Sequence, residues 1–139
     1  MKLKNQLTKH DMKRASLLFF SIMICSLMAF SQQKPAVEFV KKEHNFGTIK
    51  EEIGAVTTQF EFTNTGETPL IIRRVSASCG CTTPSYSREP ILPGKKGAIS
   101  AKYSTVARPG SFNKSITVYT NVPDTVYVLR IKGNVIPKK

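Results

Sequence analysis

The chain has 139 residues, 22% of them charged, with three cysteines, no tryptophan and a formal net charge of +12. This length leaves room for one domain whose hydrophobic core is large enough to fold without cross-links or metal ions. The basic residues are scattered as single residues and pairs, without a long run or a recognisable nucleic-acid-binding module. We therefore expect a solvated basic surface and no nucleic-acid partner.

The first part of the chain differs in character from the rest. The basic pair Lys13-Arg14 is followed by an uncharged, apolar run over residues 15–30. A basic start followed by a short apolar run is typical of a helical secretory signal peptide. Ala29 and Ser31 place small residues at positions minus three and minus one of a cleavage site, so we predict cleavage after Ser31.

The chain is accordingly divided into a signal peptide at 1–31, a short lead at 32–35 and one folded domain at 36–139, with Met12 as an alternative start. The apolar run is shorter than the roughly 20 residues that a membrane-spanning helix needs, so no stable membrane span is expected after cleavage. Lipid attachment at Cys25 is disfavoured because Ile24 stands where such a signal has a small residue. The predicted location is the periplasm, the cell surface or the medium.

From Ala36 onward, apolar and polar residues alternate with a period of two between turn-forming residues, which is typical of an all-β domain. Strands are predicted at 55–63, 98–104, 112–120 and 125–135. In the first of these, the residues that share one face are Val56, Thr58, Phe60 and Phe62. The apolar positions change parity after Ile72, so we predict a β-bulge near Arg73-Arg74.

Turn signals separate these strands. Asn64-Thr65-Gly66 ends the strand at 55–63, and Pro93-Gly94 ends a second break that precedes residues 98–104. About seven short strands result, with turns every eight to twelve residues. This spacing predicts an immunoglobulin-like two-sheet β-sandwich rather than a closed barrel.

The feature with most chemical potential is Cys79-Gly80-Cys81-Thr82, which holds the only two cysteines beyond the predicted signal peptide. Three interpretations stay open. The pair forms a local disulfide or a rigid turn that closes one end of the sandwich; or two thiolates bind a soft metal ion such as Cu(I); or the pair exchanges disulfides with a partner, which requires a lowered thiol pKa.

Other catalytic and metal-binding signals are weak. A structural zinc site takes four Cys or His ligands, and beyond the signal peptide the chain offers Cys79, Cys81 and His44. We expect His44 to be a surface or hydrogen-bonded loop residue. The sequence has no glycine-rich phosphate loop, nucleophile elbow or histidine pair at ligand spacing, so we do not expect an enzyme.

Six motifs follow one another along the predicted domain: His44-Asn45-Phe46-Gly47-Thr48-Ile49, Phe60-Glu61-Phe62-Thr63-Asn64-Thr65-Gly66, Pro69-Leu70-Ile71-Ile72, Ser78-Cys79-Gly80-Cys81-Thr82, Ile91-Leu92-Pro93-Gly94 and Leu129-Arg130-Ile131-Lys132-Gly133. Together they resemble the bacterial domain-of-unknown-function family 1573. The resemblance covers essentially the whole predicted domain. It implies a sandwich fold, export and the Cys-Gly-Cys signature, but no activity. That family is similar to the immunoglobulin-like domains of major sperm protein and of spindle and ciliary proteins, which bind other proteins or act as scaffolds.

These observations favour an exported, non-enzymatic β-sandwich module with a protein-interaction or structural role in the cell envelope, pairing with its partner through a sheet edge. No cofactor is expected under this hypothesis. The alternative is a thiol redox or copper-binding protein that acts through Cys79 and Cys81.

Overall fold

The structure is a computed structural model, and it describes residues 33–139. The predicted signal helix, its cleavage after Ser31 and the alternative start at Met12 lie outside the described residues. Within residues 33–139, no helix has the length and apolar character needed to span a membrane.

The described chain is all-β, as predicted, and forms two four-stranded sheets. It has eight strands rather than about seven, with a short 3-10 turn at Glu51–Ile53 between the second and third. The strands are β1 (Val37–Phe39), β2 (Glu43–Lys50), β3 (Ala55–Asn64), β4 (Ile72–Ala77), β5 (Thr82–Tyr86), β6 (Lys96–Ser104), β7 (Gly110–Thr120) and β8 (Val126–Ile136).

The first sheet has the strand order β1-β3-β6-β5 and the second has the order β2-β8-β7-β4. All neighbouring strands are antiparallel except β2 and β8, which are parallel. In the lettering of the immunoglobulin fold, the first sheet corresponds to strands A-B-E-D. In the second sheet, β8, β7 and β4 correspond to strands G-F-C. The strand order is therefore that of an immunoglobulin-like sandwich. The chain passes from one sheet to the other at every connection except those from β5 to β6 and from β7 to β8.

The core lies between the two sheets and is filled by every second residue of the longer strands. In β3, Thr58, Phe60 and Phe62 are buried while the intervening side chains are exposed, which confirms the predicted alternation. The same holds for β6, β7 and β8. The inward residues of those strands include Ile99, Ala101, Tyr103, Ile116, Val118, Leu129, Ile131 and Val135.

A bulge interrupts the pairing of β4 with β7, because the register shifts between Ile72 and Arg74. The bulge predicted near Arg73-Arg74 is therefore confirmed. The extra residue restores the parity of the strand, so that Arg74 pairs with Tyr119 on the outer face of the second sheet. The guanidinium carbon of Arg74 lies 4.4 Å from the centre of the Tyr119 ring.

Two aromatic rings of the core lie directly over a glycine of the neighbouring strand. Phe62 is paired with Gly97 across β3 and β6, and Phe112 is paired with Gly133 across β7 and β8. A Cβ atom on Gly97 would collide with the Phe62 ring, and a Cβ atom on Gly133 would lie 2.9 Å from Phe112. Glycine is thus required at both positions by the packing of a neighbouring ring.

Candidate functional site

The strand directions distribute the sequence motifs between opposite ends of the sandwich. Thr63 pairs with Lys96 at one end of β3, and Ala55 pairs with Ser104 at the other. The Asn-Thr-Gly and Pro-Gly turns lie at the first end, which we call the motif end. Thr82 pairs with Tyr103, close to the end of β3 where Ala55 pairs with Ser104. The cysteines therefore lie at that end, which we call the cysteine end.

At the cysteine end, Cys79 and Cys81 are joined by a disulfide, and their Cα atoms are 5.2 Å apart. This separation lies in the ordinary range for disulfides, about 4.4–6.8 Å. The N–H of Thr82 donates to the carbonyl of Cys79 at 3.3 Å and closes a turn around Gly80. The two cysteines therefore flank a turn at Gly80 and do not lie on one extended strand.

The disulfide lies at the corner where the chain leaves the edge of the second sheet and joins the edge of the first. Ser78 is tied to β7, since its N–H donates to the carbonyl of Ser115 at 2.9 Å and its hydroxyl accepts the Ser115 N–H at 3.1 Å. On the other side, the Ser104 N–H donates to the carbonyl of Cys81 at 2.9 Å. The backbone of the corner is therefore held on both sheets.

The two sulfur atoms differ in their surroundings. Cys79 is half-buried, whereas Cys81 is only 8% exposed and belongs to the hydrophobic core. The hydroxyl oxygen of Thr82 lies 3.7 Å from Sγ of Cys79 and 3.8 Å from Sγ of Cys81. Thr82 itself is 4% exposed, so a buried hydroxyl stands beside both sulfurs.

His44 is not brought to the cysteines. It lies in strand β2 rather than in a loop, where it pairs with Ile131, and strands β8 and β7 separate β2 from β4. Lys41 donates to Nδ1 of His44 at 3.2 Å, and burial followed by the charge of Lys41 lowers the pKa of His44 below 6.5. Among residues 33–139, no three His, Cys, Asp or Glu side chains are grouped as a metal site would need.

At the motif end, Asn64 is completely buried and joins the two turns. Its side-chain N–H groups donate to the carbonyls of Thr68 and Ile91, both at 2.8 Å, and its side-chain oxygen accepts the Gly66 N–H at 3.0 Å. Its backbone carbonyl accepts the Gly94 N–H at 2.8 Å. The Asn64 amide thus satisfies groups from two chain segments that are distant in sequence.

Gly66 and Gly94 have different structural reasons to be glycine. A Cβ atom on Gly66 would collide with the backbone of residues 34–36, whose carbonyls at Lys34 and Ala36 accept backbone N–H groups of the same turn. Gly94 follows Pro93 and has a φ of 73°, a conformation that favours glycine. Asn64, Gly66, Pro93 and Gly94 therefore share one end of the domain, where they connect its segments.

Glu51, at the cysteine end, was not singled out from the sequence. Its carboxylate accepts the backbone N–H groups of Ala107 at 2.7 Å and Lys138 at 3.0 Å. The hydrogen bond from Lys138, and after it the one from Ala107, lowers the pKa of Glu51 below its ordinary 4.5. The ionised Glu51 carboxylate therefore stabilises the folded state fully above about pH 4.5, and this stabilisation is lost as the pH falls through the lowered pKa. Sequence gave no signal, because both partners are distant along the chain.

The outer face of the second sheet carries an exposed apolar strip. Val126 and Val128 point outward from β8 and are 52% and 43% exposed. Val126 is paired with Tyr119 of β7, over which Arg74 is stacked. We call these four side chains the valine face.

A sequence profile described as "Protein of unknown function (DUF1573)" matches residues 37–135. The chain belongs to this family. The resemblance inferred from the motifs is thereby confirmed, and the match to DUF1573 includes the motif end, the cysteine end and the valine face. No curated protein sequence matches the chain.

Solved structures share the fold at low sequence identity. A protein of unknown function from Porphyromonas gingivalis W83 is 16% identical with a TM-score of 0.63, and the match covers 77% of this chain and 50% of that one. The VesB protease of Vibrio cholerae is 12% identical with a TM-score of 0.57, covering 73% and 32%. The secreted serine protease VesC of the same organism is 10% identical with a TM-score of 0.54, covering 75% and 23%. The DUF1573 chain thus spans half or less of the length of each.

Proposed function

We propose that the protein is an exported, non-enzymatic β-sandwich module that binds another protein in the cell envelope through the valine face. The observation that carries this proposal is the pair of exposed valines beside Tyr119 and Arg74. Tyrosine and arginine are enriched among residues that dominate binding energy at protein interfaces, and apolar side chains at the centre of such a patch are desolvated on binding.

The charges around the valine face favour a partner with acidic groups around an apolar centre. Arg130 follows Val128 on the outward side of β8 and is exposed, and Arg74 lies at the other side of the strip. Glu43, the cross-strand neighbour of Arg130, is ion-paired with Lys132 at 3.3 Å, so the net charge of this rim is positive. A basic rim attracts and orients a partner of opposite charge. The partner's apolar centre would cover the two valines.

The sheet edges are less suited to binding by strand addition. Strand β5 contains Pro84, which has no N–H to donate, and strand β1 has three residues. Strand β4 is bulged at Arg73, and the register of strand β2 shifts between Asn45 and Thr48. Proline, bulges, charged side chains and short strands are the features by which natural sheets prevent edge pairing. Binding through the outer face therefore replaces the edge pairing suggested by the sequence.

Export is supported by the sequence of residues 1–31 and is consistent with one similar structure's description as a secreted protease. In VesB and VesC the matching fold occupies a third or less of the chain. The same sandwich therefore occurs as one part of larger proteins, which fits the role of a module.

Site-specific photo-crosslinking in the envelope of the protein's own host tests the proposal. A benzophenone amino acid at Val128 is expected to give a discrete adduct with one protein, whereas the same amino acid at Gln59, which is exposed on the outer face of the first sheet, is expected to give none. Arg130→Glu should reduce the Val128 adduct several-fold because it reverses the rim charge. Lys102→Glu, on the outer face of the first sheet, should leave it unchanged. Equal adducts from both faces, or none from Val128, would refute the proposal.

A second candidate function is thiol redox chemistry at Cys79 and Cys81, favoured by the half-buried position of Cys79 at the corner between the sheets. Copper binding belongs to the same candidate. If the pair were reduced, this chain would offer Cu(I) two thiolate ligands.

A further inference from the structure

We infer that the Cys79–Cys81 disulfide is a thiol–disulfide exchange site with a fixed polarity, in which a partner thiol attacks Cys79 and releases Cys81. This inference rests on and deepens the second candidate function, thiol redox chemistry at Cys79 and Cys81, and does not depend on the proposed binding role. It rests on the short loop, the unequal burial of the two sulfurs and the position of the Thr82 hydroxyl.

The disulfide closes a very short loop, because the two cysteines are separated by only two positions in sequence. A disulfide stabilises a fold chiefly by restricting the unfolded chain, and this effect decreases as the closed loop becomes shorter. A bond between Cys79 and Cys81 therefore restricts little of the unfolded chain. Stabilisation of the whole domain does not explain why a disulfide stands at this corner.

Unequal burial selects the sulfur that is attacked. The rate of disulfide exchange depends on access of the attacking thiolate to one of the two sulfurs. Cys79 is half-buried and lies beside the exposed Gly80, whereas Cys81 is 8% exposed and packs in the core. An external thiolate therefore reaches Cys79 more easily than Cys81.

The Thr82 hydroxyl is suited to hold the released thiolate. Within residues 33–139, the only side-chain hydrogen-bond partners of this buried hydroxyl are the two cysteine sulfurs, at 3.7 and 3.8 Å. Sulfur in a disulfide is a weak acceptor, whereas hydrogen bonds to ionised groups are shorter and stronger. Reduction would thus improve the pairing of the hydroxyl with whichever sulfur is released, and while Cys79 is held in the mixed disulfide that sulfur is Cys81.

The corner is held without the disulfide. Backbone hydrogen bonds connect Ser78 to β7, Cys81 to β6 and Thr82 to Cys79. After reduction these bonds keep the two sulfurs close together, so the ring is able to close again. The exchange is therefore reversible.

The reaction is balanced with a dithiol partner as the reductant. The partner's thiolate forms a bond to Sγ of Cys79 while the Cys79–Cys81 bond breaks and its electron pair goes to Sγ of Cys81. The second partner thiolate then attacks the partner sulfur of the mixed disulfide and releases Cys79. The partner dithiol loses two electrons and two protons and becomes a disulfide, and the Cys79–Cys81 pair takes them up as two thiols.

Single-cysteine variants of the full chain test the polarity. With glutathione disulfide as the probe, Cys81→Ser, which retains Cys79, is expected to form the mixed disulfide about tenfold faster than Cys79→Ser, which retains Cys81. The wild-type chain is treated briefly with reduced glutathione and quenched with acid. Fragment ions from mass spectrometry on either side of Gly80 then show which cysteine carries glutathione, and we expect it on Cys79. The wild-type measurement decides the question even if either variant fails to fold.

Thr82 is tested as a positioning residue. Thr82→Val keeps the shape and removes the hydroxyl, and Thr82→Ser keeps the hydroxyl as the matched control. At neutral pH, alkylation of the reduced pair should be about tenfold slower in Thr82→Val than in Thr82→Ser. The slower rate should recover at higher pH, which a merely structural effect would not produce.

Three results would overturn the inference: adducts on Cys81 equal to or exceeding those on Cys79, equal alkylation of the two Thr82 variants, or a disulfide that a dithiol does not reduce while the domain remains folded. None of these results depends on the Val128 crosslink. Failure of the exchange inference and failure of the proposed binding role are therefore distinguishable.

Discussion

Asn64→Ala is expected to lower the free energy of unfolding by about 3–5 kcal/mol. The substitution leaves the carbonyls of Thr68 and Ile91 and the N–H of Gly66 without the partner that the Asn64 amide provides. Each buried polar group that loses its partner costs about 1–3 kcal/mol. Urea denaturation followed by circular dichroism measures the change.

Asn113→Ala is the matched control, because Asn113 is exposed on the outer face of β7. A change within about 0.5 kcal/mol is expected there. Equal effects of the two substitutions would show that Asn64 does not connect the two turns. Asn64→Asp should not restore stability, since a carboxylate cannot donate hydrogen bonds to the two carbonyls.

Gly97→Ala is expected to destabilise the domain by about 2–3 kcal/mol through overpacking. The new methyl group would occupy space filled by the Phe62 ring, which is 2% exposed and has core residues around it. Strand β6 also pairs with β3 and β5, so the backbone at Gly97 has little freedom to move away. Thermal and urea unfolding measure the loss.

A second substitution separates this clash from a general effect of alanine in a strand. Phe62→Leu removes the part of the ring that collides with the new methyl group, so the double variant should lose clearly less stability than the sum of the two single variants. Strictly additive losses would mean that Gly97 is not in contact with Phe62, contrary to their pairing across β3 and β6.

The strands with regular alternation could be predicted from the sequence because their pattern is local. In β3 the buried residues recur at every second position, and the parity change after Ile72 located the bulge. No bounds could be predicted for strands β1 and β2. Their division depends on where the chain changes sheets, at residues 40–42, and no local pattern marks that change.

The candidate sites were predicted less completely. Asn64 and Gly94 were identified as turn residues, but their direct contact depends on pairing between strands distant in sequence. The valine face was missed because alternation along β8 shows that Val126 and Val128 share a face without showing that Tyr119 and Arg74 join them. The three interpretations of Cys79 and Cys81 do not fix the backbone between them, and the turn became evident from the Thr82 to Cys79 hydrogen bond.

The two ends of the sandwich have different roles in this account. The motif end is a connected set of hydrogen bonds in which Asn64 joins the segments, so its residues are explained by folding. At the cysteine end, the short disulfide loop adds little to the stability of the fold. Chemistry specific to this protein is therefore expected at the cysteine end and binding at the valine face.

The proposed export and the Cys79–Cys81 disulfide are tested most directly by the intact mass of the protein, measured after recovery from the cell envelope of its own host with free thiols blocked at lysis. We predict a chain that begins at Gln32 and carries no blocking group before reduction. After reduction and a second blocking step, we predict two blocking groups, one on Cys79 and one on Cys81. A mass that retains residues 1–31, or two blocking groups before reduction, would contradict the account.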